Sequence, residues 1–369
     1  MNNRILFLTL KVFSSTGGIE KVCRIVGKAL NELTVDTKGE LKVYSMYDNQ
    51  TDDKYFPSQL FAGWAGNKKT FVFQSVMEGM KSNIVILSHI NLLIVGYLIK
   101  LFSPKTKLIL IAHGIEVWSP LSFWKKRMLT RCDRILTVSN YTKDKMREMH
   151  LFPEDKFRVF NNCLDPFLPE PKDSKSGKLL DKYNFTKEDI IILTLTRLSA
   201  KEKYKGYDTV LKSLQKLKKK SSKLKYLMVG KYDAEEKERL DKLLIELNLD
   251  ATVKFAGFVG DDELADHFQL ADLYVMPSEK EGFGIVFIEA MFYGLPVIAG
   301  NKDGSVDALL NGKLGQLVDP QNLDEIINAI ENILSDRVTY IPDNNTLLEK
   351  FSYDVYKNNL HNILKELKN

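Results

Sequence analysis

The chain has 369 residues, 44% apolar and 27% charged, which is enough for two domains and too apolar for a disordered chain. Its three cysteines, Cys23, Cys132 and Cys163, are far apart and form no Cys-x-x-Cys pair, which argues against a disulfide scaffold or zinc ribbon and fits a reducing cytoplasm. The net charge of +5 is uneven, +9 over residues 1–165 and −4 over the remainder. A basic first half suits an anionic partner such as phosphate-bearing lipid, a nucleotide or nucleic acid, and a merely solvated lysine-rich surface is the alternative.

In chain order, Arg4–Leu10 reads as a buried first strand rather than a signal-peptide core, because Lys11 cuts the apolar run short. Further strands are expected at Leu41–Met46, Ile84–Leu87, Lys107–Ala112, Arg134–Val138 and Phe157–Phe160, with helices such as Glu20–Glu32 and Tyr141–Met149 between them. Continuous Ile/Val/Leu runs of this kind suit strands covered on both faces of a parallel sheet. The uncharged stretch Ile84–Ile99 is too short to cross a bilayer and reads as a strand and a buried helix. Residues 166–187, with Pro166, Pro169 and Pro171, look like a linker. The rhythm resumes with strands at Ile190–Thr194, Lys225–Val229, Thr252–Phe255, Leu273–Met276 and Pro296–Ala299. Helices are expected at Asp208–Lys218, Glu235–Leu247 and Asp262–Ala271. The expectation is two doubly wound α/β domains, with ligands at the carboxyl ends of their strands.

Four clusters fall just after expected strands. In Pro277–Ala299 a turn with Gly282 and Gly284 leads into a helix starting near Gly284–Ile285. Free N–H groups at a helix start attract anions, and the glycines permit close approach. Glu281 in the turn and Glu289 in the helix are placed to accept bonds from sugar or ribose hydroxyls. In Thr194–Asp208, Arg197 and Lys205 supply cations suited to a diphosphate leaving group. Lys201 and Lys203 read as surface. The Gly17–Gly18 turn either cradles phosphate or lets a strand and helix pack closely, and it is neither a P-loop nor a G-x-G-x-x-G. His113-Gly114 follows a strand, as does His89, where a histidine can contact a substrate hydroxyl.

These motifs together resemble the retaining GT-B glycosyltransferases of the family-4 type. The family's E-x7-E block matches Glu281, Glu289, Ala290, Gly294, Pro296 and Val297. Its Arg…Lys-Gly element matches Arg197, Lys205 and Gly206, its glycine loop Gly17 and Gly18, and its His-Gly His113 and Gly114. Phe255–Val259 resembles the strand and loop that hold the nucleotide base. The resemblance covers nearly the whole chain. It implies a GT-B architecture of two Rossmann-like domains facing a central cleft: residues 1–165 for the acceptor, linker 166–187, residues 188–350 for the nucleotide sugar, and residues 351–369 crossing back to the first domain as a helix at about Tyr353 to Lys368. Arg197 and Lys205, aided by Gly17 and Gly18, would stabilise the departing diphosphate, Glu289 would hold the ribose, and Glu281 and His113 the transferred sugar. Phe258, Val259, Gly282, Phe283, Gly284 and Ile285 complete the expected donor site. The resemblance implies no metal and no cofactor. The base is not identified by the sequence, and a uridine donor is placed ahead of a guanosine one without a residue that decides it.

Two segments depart from the family pattern. The usual Pro-Asn-Gly-Val-Asp hinge reads Asn161-Asn-Cys-Leu-Asp165, and the usual Gly-Gly…Glu reads Asp303-Gly-Ser-Val-Asp307. Residues 118–134 mix Trp118, Phe123 and Trp124 with Lys125, Lys126, Arg127, Arg131 and Arg134. That mixture suits an anionic membrane surface and a lipid-linked saccharide acceptor of surface polysaccharide synthesis, or else a basic helix with its aromatics packed inward. A sugar phosphorylase or nucleotide-sugar synthase of the same fold, and a non-catalytic binding module, are the competing functions. Nucleic acid is not an expected partner, since the basic residues form no recognisable nucleic-acid motif.

Overall fold

The computed structural model describes residues 4–150, 152–172 and 174–367. They form two compact units: the chain up to Pro166 together with Phe351 onward, and Phe167–Lys350.

The first unit runs β1 (Arg4–Thr9), α1 (Gly18–Asp36), β2 (Glu40–Ser45), β3 (Phe61–Gly63), α2 (Lys68–Gly79), β4 (Ile84–Leu87) and α3 (Leu93–Phe102). It continues with β5 (Lys107–Ala112), α4 (Phe123–Leu129), β6 (Arg134–Thr137), α5 (Asn140–His150) and β7 (Phe157–Val159). The sheet is wholly parallel in the order β3-β2-β1-β4-β5-β6-β7. Every residue of β4 is buried, as an Ile-Val-Ile-Leu run covered on both faces requires. Helix α1 is amphipathic, with Val22, Val26, Ala29, Leu30 and Leu33 buried along one side. The unexpected strand β3 is three residues at the sheet edge, too short to show a pattern of its own. All three cysteines are buried and free.

The second unit runs α6 (Gly177–Tyr183), β8 (Ile190–Leu195), α7 (Tyr207–Leu217), β9 (Leu224–Val229), α8 (Ala234–Glu246), β10 (Val253–Gly257) and α9 (Asp261–Leu270). It continues with β11 (Leu273–Met276), α10 (Ile285–Phe292), β12 (Val297–Gly300), α11 (Ser305–Ala308), β13 (Gln316–Val318), α12 (Leu323–Ser335) and α13 (Asn344–Phe351). Its parallel sheet has the order β10-β9-β8-β11-β12-β13, with β13 again a short edge strand beyond the expected set. Residues 166–187 are more than a linker. They contain α6, whose Leu179, Leu180 and Tyr183 are buried, and the Tyr183 hydroxyl meets His267 Nε2 on α9 at 2.9 Å. The apolar residues of that stretch gain burial by folding onto the second unit, which its prolines disguised.

The last helix, α14 (Tyr353–Glu366), belongs to the first unit, while Lys368 lies outside the described residues. Lys357 reaches Glu32 on α1 at 2.9 Å, and Tyr356 stacks on Phe160 with ring centroids 4.2 Å apart. Tyr356 is buried, yet its hydroxyl has no hydrogen-bond partner among the described residues. Its ring therefore stabilises the helix through packing while its oxygen carries a desolvation cost. Tyr356→Phe should be at least as stable as the wild type in denaturant unfolding, and Tyr356→Ala should lose about 3 kcal/mol or more. Equal losses in both variants would contradict this account.

Candidate active site

In the second sheet the chain moves from β8 outward to β9 and β10, then returns to the far side of β8 to lay down β11, β12 and β13. Connections leave β8 and β11 in opposite directions, and such a switch point is where doubly wound sheets accept ligands. Arg197 and Lys205 follow β8, and Glu281 through Ile285 follow β11.

The loops after these strands are tied backbone to backbone. The Glu279 amide donates to the Tyr204 carbonyl at 2.8 Å. Gly206 adopts φ +81°, and a Cβ there would stand 2.2 Å from the Pro277 carbonyl oxygen, so both its conformation and its closeness require glycine. Lys205 is thereby held against Glu281, and the two form an ion pair with only 14% and 19% of their side chains exposed. Burial pulls the Lys205 ammonium pKa down, but the Glu281 carboxylate more than reverses this and the net shift is upward. Lys205 is therefore a fixed cation. Tyr204, half-buried, lies under both Lys205 and Lys280, each ammonium 5.7 Å from its ring centroid.

A second tie comes from the loop after β12. The buried Asp303 carboxylate accepts from the Glu281 amide at 2.7 Å and the Ser305 amide at 2.9 Å. The Gly304 amide donates back to the Glu281 carbonyl at 2.8 Å. Glu281 is thus gripped at its amide, its carbonyl and its side chain. Beyond it Phe283 is buried, Gly284 takes φ +84° as the cap, and Ile285 opens α10. The first N–H groups of a helix lack partners within it, so this turn offers an anion-binding end beside Lys205. Glu289 sits within α10 and is buried.

Not every expected residue joins this group. The Arg197 side chain is 63% exposed and pairs with Asp233 only at 4.0 Å, so it is a solvent-facing cation rather than a second enclosed one. Phe258 and Val259 follow the edge strand β10, with Phe258 exposed. In the first unit, Gly17 precedes α1 and Gly18 opens it, with empty space where a Gly18 Cβ would stand. The preceding segment is pinned by buried Asp48, which accepts from the amides of Val12 at 2.7 Å and Ser14 at 2.6 Å. Burial raises the Asp48 pKa, but hydrogen bonds from Ser45, Ser14 and Val12 outweigh it and hold the group below the ordinary carboxylate range. His113 Nε2 lies 2.7 Å from the Ser88 carbonyl, so that nitrogen carries the proton and donates. The His113 amide donates to Glu116 at 2.6 Å. Burial lowers the pKa of the neighbouring His89 despite the nearby Glu116 carboxylate.

Asp303, Tyr204 and Asp48 are the residues that sequence reasoning missed. Asp303 stood out only as a departure from a glycine pair. The other two had no motif to mark them.

Two parallel, doubly wound sheets in succession define a GT-B architecture, and solved structures share it. The structure of Anabaena Alr3699/HepE with UDP and glucose matches 99% of this chain and all of its own at TM-score 0.82 and 19% identity. Sucrose-phosphate synthase from Thermosynechococcus elongatus matches 99% of each chain at TM-score 0.77 and 19% identity. Residues 176–356 match the family model for glycosyl transferases group 1, and residues 16–166 that for glycosyltransferase family 4. The chain belongs to this family of GT-B glycosyltransferases. A relative in Mycobacterium tuberculosis, named GDP-mannose-dependent alpha-(1-6)-phosphatidylinositol monomannoside mannosyltransferase, is 30% identical over 236 residues. That match spans 61% of this chain and 60% of the relative.

The Asp303 grip has a pH signature. Burial, with the Glu281 charge adding to it, raises the carboxyl pKa to about 7 even though the Ser305 and Glu281 amides oppose the shift. The folded chain then keeps a proton that the unfolded chain has lost, so stability falls as pH rises from about 4 to about 7 and is level above. Asp303→Asn lacks that term. Its melting temperature should therefore gain on the wild type across this window, and a difference that does not change with pH would contradict the assignment.

Proposed function

We propose that the chain is a retaining glycosyltransferase that moves a hexose-type sugar from a nucleoside-diphosphate sugar to a saccharide acceptor. The observation that carries the reading is the Lys205–Glu281 pair at the start of α10, at the switch point of the second sheet. Negative charge grows on a diphosphate as its bond to the sugar breaks, and a fixed ammonium beside helix N–H groups stabilises that charge without reorganising. Glu281 neutralises Lys205 in the ligand-free chain, and diphosphate takes over that role when the donor binds. Glu281 is then left to accept from a sugar hydroxyl, and Glu289 from the ribose.

Phe258 and Val259 lie along the base, and the turn Gly282–Ile285 faces the phosphates. Arg197, exposed to solvent, closes onto the diphosphate from there. The resemblance assigns Gly17 and Gly18 to the diphosphate and His113 to the transferred sugar. In this reading the reaction needs no metal or cofactor, and chelation is the test of that part.

A uridine nucleotide is the first reading for the donor. Guanosine is the second, favoured by the name of the Mycobacterium relative, which also supports a lipid-linked acceptor. Such an acceptor places the enzyme at the cytoplasmic face of a membrane, in surface-polysaccharide synthesis, with residues 118–134 at the anionic surface.

Thermal unfolding with UDP or GDP, each with and without EDTA, should show stabilisation by one nucleotide that EDTA leaves intact; a ligand at about 100 times its dissociation constant adds about 2.7 kcal/mol. Failure of both nucleotides would overturn the donor site. Turnover of the donor, including its hydrolysis, should fall about 10²–10³-fold in Lys205→Ala, and retained turnover would show that the leaving group lies elsewhere. Release of sugar 1-phosphate from a glycoside and inorganic phosphate would mark a phosphorylase.

A further inference from the structure

The outward side of the first unit carries a pattern that the donor site does not explain. Helices α2, α3 and α4 pack side by side, and their inward residues Phe71, Val95, Ile99 and Leu129 join one core cluster. Several of their outward residues are apolar as well. On α2, Phe73 and Met77 lie one turn apart, Met80 follows at the helix end, and all three are exposed. On α3, Ile94 and, about two turns further on, Leu101 and Phe102 are exposed, the last two at 61% each. Phe123 and Trp124 at the start of α4 are exposed and in edge-to-face contact with each other. Helix α3 packs on the sheet and between α2 and α4, yet it leaves this apolar side exposed, and a contiguous exposed apolar patch marks an interaction surface.

The charges around this face identify what covers it. Between Phe61 and Arg131 the sequence has ten Lys and Arg against two Asp and Glu. Neither acid faces outward freely: Glu78 is buried under Arg4 and Lys42, and Glu116 is turned onto the His113 amide. Lys68, Lys69, Lys81, Lys105, Arg127 and Arg131 are exposed on these helices or at their ends. A second copy docked about a two-fold axis would set this basic rim against itself, at a cost in like-charge repulsion. No described helix is long and apolar enough to cross a membrane. An apolar centre with a basic rim matches an anionic bilayer surface, whose headgroups meet the cations while the apolar side chains enter the acyl boundary.

We infer that the α2–α3–α4 face is the surface by which the protein docks on anionic membranes, with Leu101, Phe102 and Phe73 entering the lipid and the segment 118–134 forming only its edge. The inference rests on the proposed lipid-linked acceptor for its purpose. Its test needs no activity, so its failure and the failure of the donor reading are distinguishable.

Flotation of the full chain with vesicles of phosphatidylcholine and phosphatidylglycerol in equal parts should carry the protein upward. Phosphatidylcholine alone, or high salt, should leave it behind. The double change Leu101→Ser, Phe102→Ser and the double change Lys81→Ala, Lys105→Ala should each lower the bound fraction about tenfold. Val35→Ser, on α1, should change nothing. All of these positions are exposed, and unchanged thermal unfolding checks the fold of each variant. Absence of flotation, or flotation unaltered in both double variants, would overturn the inference. So would a wild-type dimer in sedimentation that Leu101→Ser, Phe102→Ser turns into a monomer, since that would give the face to a second copy.

Discussion

At the carboxyl edge of the second sheet, three loops touch through their backbones, and this closeness governs the geometry there. A Cβ on Gly206 would stand 2.2 Å from the Pro277 carbonyl, on Gly300 1.9 Å from that of Ser278, and on Gly304 2.0 Å from that of Gly282. Side chains would force the loops apart, since protein interiors yield little to added volume. With hydrogen there instead, the loops after β8, β11 and β12 become one layer. The Glu281 backbone is then clasped by Asp303 and Gly304, and the position of its carboxylate follows. Such a site is set by main chain, which is stiffer than any arrangement of long surface side chains.

Electrostatics build on that scaffold. A lysine this enclosed is costly without an anion beside it, and Glu281 supplies one. If Lys205 meets a diphosphate as proposed, the pairing reconciles keeping that cation ready with keeping the ligand-free chain folded. Arg197 shows the other solution, remaining in water where its charge costs nothing. In the proposed reaction one cation is preorganised and the other recruited, so they would contribute differently to binding and to the chemical step.

Much of this was legible in the sequence for definite reasons. Buried parallel strands announce themselves as Ile/Val/Leu runs, and β4, β5, β8 and β11 fall where those runs lie. The turn before α10 was visible because glycines, an acid and a helix start coincide within a few residues. What stayed hidden depends on contacts between distant segments. Strands β3 and β13 exist because a neighbouring strand offers an edge, and three residues carry no period. The pairing of Lys205 with Glu281, and the burial of Asp303 under the Glu281 loop, join loops from different strands. The two apolar stripes of α2 and α3 could be read from spacing, but only the fold shows which one faces the core.

The central claim is that Lys205 exchanges a carboxylate for a diphosphate. A crystal structure of the full chain with the nucleoside diphosphate it binds tests this most directly. The account predicts phosphate oxygens within hydrogen-bond distance of Lys205 Nζ and of the amides opening α10, with Glu281 released from its ion pair. A diphosphate bound elsewhere, with Lys205 still paired to Glu281, would contradict it.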